Sequence, residues 1–204
     1  MKLSYIKQAV LVLLTVALRG WSQDMPADMP RVTVNIYNDA GVAEPILAEG
    51  RREATRIFQR AGVKIMWLDC SRPEGESMGR SACQTPMNRS HLAVRIVPWS
   101  SKSSDVVFGD AFLSSDGEGT YSDVFYDSVT KHHEEWHVCI PVLLGHVIAH
   151  EIGHLLLGAN AHSWMGIMRS QWQGEELQSI AMGRLLFTRA QVESLKDRLS
   201  ASPR

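Results

Sequence analysis

Residues 142–157 form an apolar run in which the ionisable side chains are His146, His150, Glu151 and His154. Read as a helix, the run stacks His150 against His154, because side chains four apart lie on one face. Both imidazoles then reach one metal ion, with Glu151 beside the position the protein leaves open. Two histidines at this spacing are, by themselves, no more than polar groups at the rim of a core. The glutamate between them changes that, since an unpaired carboxylate buried among leucines and isoleucines is costly without a cation nearby.

The chain continues Leu155-Leu156-Leu157-Gly158-Ala159-Asn160-Ala161-His162. A glycine one turn past His154 ends a helix by taking a left-handed conformation, and the reversal brings His162 round as a third nitrogen ligand. Three protein ligands leave the fourth position of a tetrahedral zinc for water, whose pKa falls toward neutrality there. Glu151 is placed to act as general base on that water. The expected metal ligands are therefore His150, His154 and His162, the expected cofactor is zinc, and the expected catalytic residue is Glu151. His146, one turn before His150, is either a group supporting a ligand or a buried polar core residue. His132, His133 and His137 are expected to be solvated, in a polar stretch.

The amino terminus reads as an export signal. Lys2 and Lys7 give a positive start, residues 8–18 are apolar but too short to span a bilayer, and Gly20-Trp21-Ser22 places small residues where a signal peptidase reads. Cleavage is expected after Ser22, making residues 1–22 a signal peptide, residues 23–204 one domain, and the protein secreted or periplasmic. A retained anchor is the other reading, and it too puts the body outside the cytoplasm. The remaining residues, about 180, suffice for one sizeable core. The formal net charge is −1 with both signs interspersed, which argues against nucleic-acid and membrane-surface partners. No stable membrane association is expected once the signal is removed. In an oxidising compartment Cys70 and Cys83, which bracket a polar loop, are expected to pair. Cys139 is then the odd cysteine, expected as a small buried apolar residue.

Residues 31–37 alternate Val32, Val34 and Ile36 with polar residues, the pattern of a half-buried strand, and residues 38–41 form a turn. Pro45 opens a helix with Ile46, Leu47, Ala54, Ile57 and Phe58 on its apolar face, and Arg51, Arg52, Glu53 and Arg56 on its solvated side. It stops at Gly62. Residues 63–68 and 91–99 are further strands, the second with Leu92, Val94 and Ile96 on one side. Residues 106–113 and 120–126 are extended and divided by a turn at 114–119. They form either an ordinary hairpin or an edge strand whose backbone is open to an extended partner. After a polar bend to Met168 comes a segment rich in Trp, Glu and Leu. A final helix has Thr188 and Gln191 as its capping box and Val192, Leu195 and Leu199 as its apolar face. This order of elements specifies an α+β domain.

On these residues the chain resembles the zincin metalloproteases, and within them the metzincin clan. The resemblance is carried by His150-Glu151-Ile152-Gly153-His154, Gly158 and His162, and by Gly166-Ile167-Met168, which is similar to the methionine turn beneath the metal in that clan. It also covers the order of segments from about Arg31 onward. It implies a twisted, mostly parallel sheet with an edge strand over the cleft, a metal-site helix beneath it and a small C-terminal helical subdomain. The implied activity is that of a secreted zinc metalloendopeptidase acting on peptides or proteins. The sequence departs from the clan by one extra residue before the glycine and one more after it, which turns Gly158 by about 100° on the helix and leaves the third ligand open. In thermolysin-like zincins that ligand is a glutamate on a later helix, and Glu175 and Glu176 fall in the matching window. The other class of function is a non-catalytic zincin scaffold that holds a partner in its cleft; an intact Glu151 argues against it.

Overall fold

The alternation of Val32, Val34 and Ile36 with polar residues becomes β1 (Arg31–Asn38), and those three side chains are fully buried. The structure, a computed structural model, describes residues 29–71, 80–99 and 107–201. The expected signal at 1–22 lies outside them. β2 (Lys64–Asp69) and β3 (His91–Val97) flank β1 in parallel. β4 (Gly109–Phe112) is the outer edge, and β5 (Tyr121–Phe125) lies between β3 and β4, parallel to the first and antiparallel to the second. A parallel pair needs a crossover. α1 (Glu44–Arg60) supplies the one from β1 to β2, with Pro45 in its first turn, where a missing N–H costs nothing.

The disulfide forms as expected. Cys70, just past β2, is joined to Cys83 at the end of α2 (Arg80–Cys83), with Cα atoms 6.0 Å apart. Closing this loop is worth about 3 kcal/mol by chain entropy. A buried polar bridge ties the closed loop to the sheet face away from α1: Asn35 donates to the Cys83 carbonyl at 3.2 Å, and its amide oxygen lies 2.8 Å from His91 Nε2.

α3 (Tyr126–Trp136) follows β5 directly and corrects the expectation for His132. His132 is buried: its Nδ1–H donates to the Ser128 carbonyl at 2.8 Å, and its ring lies 4.4 Å from that of Phe108. The helix escapes a search for apolar spacing because Val129 is the apolar residue it buries, beside the polar Ser128 and His132. His137 ends it in a left-handed conformation, φ 53°, and is exposed.

The long apolar run becomes α4 (Ile140–Leu157), with Leu143, Leu144, Val147, Ile148, Ile152, Leu155 and Leu156 no more than 1% exposed. It is apolar on nearly every side because α1, the sheet and the C-terminal helices enclose it. Cys139 corrects a second expectation. It caps the start of α4, outside the helical turn, and its free thiol is exposed. Glu53 is not solvated either: a Cβ on Gly145 of α4 would meet its Cβ at 2.6 Å. Glu53 pairs with Arg56 at 2.7 Å and lies 3.6 Å from His146, which is fully buried and donates to the Val142 carbonyl at 2.8 Å. His146 is thus the buried polar core residue of the two alternatives.

α5 (Gly174–Ala181) is a helix that periodicity did not reveal, and α6 (Arg189–Ser200) is the expected last one. Both bonds of the Thr188 and Gln191 capping box are made. Leu195 and Leu199 are buried and Val192 is half-buried. Arg198 of α6 donates to the Leu156 carbonyl at 2.8 Å and pairs with Glu118 at 2.7 Å, so the end of α4 and the β4–β5 turn are held by one guanidinium. The whole is the mixed α+β architecture expected from the sequence, with β4 running along one side of α4.

Candidate metal centre

His150, Glu151, His154 and His162 line one cleft of about 480 Å³, walled by residues 107–111 and Leu113 on the β4 side and by residues 160–162 and 169–172 on the other. α4 carries the first three. It ends at Gly158, whose φ of 79° and ψ of −159° are open essentially to glycine alone. The positive φ matches expectation, but ψ is extended where a left-handed helical value was expected. Asn160 follows with φ 62°. Two positive-φ residues in quick succession take up the extra length between His154 and His162, and the imidazole of His162 comes within 4.6 Å of that of His154, centre to centre.

The candidate ligand nitrogens of His150, His154 and His162 lie within 4.8 Å of one another. Neither glutamate joins them. Glu175 is exposed, and Glu176 accepts from the Gln173 amide at 3.1 Å and pairs with Arg169, which fixes the start of α5. His150 Nδ1–H donates to the Ile167 carbonyl at 2.7 Å, so the neutral ring presents a lone pair at Nε2. That nitrogen is 3.0 Å from His154 Nε2. A tetrahedral zinc with bonds of about 2.0–2.1 Å would set its ligand nitrogens about 3.3 Å apart, so a small opening of this pair separates the two geometries.

Burial first, and then the neighbouring histidines, bring the His150 pKa down to about 4, against the opposing bond to Ile167, and that of His154 to about 3; burial lowers His162 as well. All three are therefore neutral near pH 7, the form a metal requires. The linkage has a definite sign. These folded-state values lie below the unfolded value of about 6.5, so the unfolded chain takes up protons first as the pH falls. In chelator-treated protein, stability is expected to be full above about pH 6.5 and to fall steadily as the pH drops toward 4. Denaturant midpoints at pH 7.5 and pH 5 measure this; equal midpoints would contradict neutral, buried histidines.

Beneath the site, Gly166 (φ 76°) and an Arg169 N–H bond to the Gly166 carbonyl at 3.1 Å form a tight turn that places Met168 fully inside the core. Met168 seats on Gly153, where a Cβ would fall 2.5 Å from its sulfur. Trp172 donates to the same Ile167 carbonyl at 3.2 Å and stands edge-on to His150, with ring centres 5.4 Å apart. Phe108 packs on Trp172 at 5.5 Å, continuing that wall of the cleft. Sequence reasoning did not find Trp172, Phe108 or the Ile167 carbonyl, because their link to His150 is purely tertiary. Glu151 is 4% exposed and lies against Gly109 of β4, a residue whose position inside a strand was a readable hint of close approach.

No family model matches the sequence, and no curated protein matches it significantly. Solved structures do. An archaemetzincin from Methanopyrus kandleri superimposes with a TM-score of 0.52 at 15% identity, covering 84% of this chain and 97% of that one. A zinc-dependent peptidase from Methanocorpusculum labreanum superimposes with a TM-score of 0.52, also at 15% identity, covering 79% of this chain and 99% of that one. At this identity the likeness is one of fold, and the fold is that of the archaemetzincin-like zincins.

Proposed function

We propose that this protein is a secreted, zinc-dependent endopeptidase in which His150, His154 and His162 hold the metal and Glu151 is the general base. The observation that supports this most is the convergence of three neutral imidazoles and a buried carboxylate on one cleft. Three imidazoles suit several transition metals; zinc is favoured because a structure of the same fold is a zinc-dependent peptidase. Bound there, zinc supplies a Lewis acid for the scissile carbonyl and lowers the pKa of a water.

The residues of the chain do the rest. Glu151 accepts the proton of the attacking water and passes it to the leaving amine. β4, the last strand of its sheet, lets an extended peptide add along its outer side, which lays the scissile bond over α4. The turn at Met168 corresponds to the methionine turn of the metzincins, and here its Ile167 carbonyl orients His150. Export follows from residues 1–22; N-terminal sequencing of the exported protein, expected to begin at Gln23, checks it.

The direct test is a screen of protein-derived peptides against zinc-loaded protein. Cuts at internal bonds are expected. Removal of terminal residues alone would make the enzyme an exopeptidase, and the absence of any cut would leave only a scaffold that binds.

A further inference from the structure

β4 turns a bare backbone toward the metal-site helix. In the β4–β5 register Gly109 faces Val124 and Ala111 faces Ser122, and both β5 residues are fully buried. Residues 109 and 111 therefore share the face directed at α4, and both are small. Phe112, on the opposite face, packs against Tyr121 with ring centres 5.2 Å apart.

The glycine is not there for its backbone angles, since Gly109 is absent from the residues with positive φ. It is there for space. A Cβ built on it falls 2.6 Å from Glu151 Oε1, 2.7 Å from Glu151 Cδ and 2.7 Å from the Asp123 carbonyl oxygen. Non-bonded heavy atoms settle at about 3.5–4.0 Å, so an alanine here drives out either the carboxylate or the neighbouring strand.

Resting on the role proposed for Glu151, we infer that Gly109 is a positioning residue for the general base: the carboxylate occupies the place a side chain on the edge strand would take. Helix α4 supplies the carboxylate and β4 fixes how far it reaches. The reach matters, because a base must come within about 2.6–3.2 Å of the proton it removes, and a displacement of about 1 Å can cost a hundredfold in rate.

The test is a double-mutant cycle in zinc-loaded protein, using Gly109→Ala and Glu151→Asp, whose carboxylate is one methylene shorter and leaves room for a Cβ at 109. Three readouts are followed: zinc content, melting temperature and the separate values of kcat and KM. Gly109→Ala is expected to lower kcat by about tenfold or more at unchanged zinc content and nearly unchanged KM. In the Glu151→Asp background the same change should cost less than about threefold in kcat, and the loss in melting temperature should shrink in parallel.

Equal costs in both backgrounds would place the collision at the Asp123 carbonyl and overturn the inference. So would a Gly109→Ala enzyme indistinguishable from wild type. If Gly109→Ala does not fold, recovery of a folded protein by adding Glu151→Asp supports the inference and failure to recover overturns it. Melting temperature reads the coupling even if the wild type cleaves nothing, so a failure of the proposed chemistry is seen separately.

Discussion

Glu151→Gln is expected to lower peptide hydrolysis by about a hundredfold or more while zinc content and melting temperature stay near wild type. Glutamine has the shape of the glutamate it replaces, so it still fits between α4 and the bare backbone of Gly109. It cannot accept a proton. The effect therefore falls on kcat, and peptide binding in the cleft survives. Hydrolysis within a few fold of wild type would remove Glu151 from the chemistry, and His150, His154 and His162 would then have to act without this base.

Replacing either helix histidine is expected to abolish zinc retention through dialysis. His150 is buried, tautomerically set by the Ile167 carbonyl and backed by Trp172, and His154 faces it at 3.0 Å between ring nitrogens. Losing one leaves two nitrogens, too few for the closed part of a three-ligand site. His162→Ala should weaken zinc by more than the roughly 10–100-fold typical of groups behind a ligand. Glu176→Ala should leave zinc affinity unchanged and instead cost about 1 kcal/mol of stability, because its carboxylate caps α5. Glu175→Ala, at an exposed position, should do neither. Zinc affinities from competition with a chelator decide the order, and a larger loss in Glu176→Ala than in His162→Ala would reverse the ligand assignment.

The parts of this molecule that could be read from the sequence are those held by local rules. His150, Glu151 and His154 share a single helix, so their spacing alone places them together. The alternation in β1, the Thr188 and Gln191 box of α6 and the cysteine pair around one loop are equally local. The third candidate ligand, His162, was harder. Its approach depends on the backbone angles of Gly158 and Asn160, which decide whether the longer linker overshoots the site or turns into it. α3 stayed hidden because its buried side is mostly polar: His132 donates to the Ser128 carbonyl within the helix, and the Ser128 hydroxyl donates to the Val107 carbonyl outside it. Cys139 was misplaced because apolar neighbours in sequence are not neighbours at a helix start. The supports of the site, Trp172 behind His150 and Gly109 against Glu151, are contacts between distant segments that no spacing rule encodes.

A zinc-dependent hydrolase built on the three histidines and Glu151 must lose and regain its activity with the metal. Chelated protein should be inactive on a peptide that the loaded enzyme cuts, and activity should return in proportion to added zinc until one ion is bound per chain. A protein that takes up its single zinc and still cuts no faster than the metal-free or Glu151→Gln forms would contradict it.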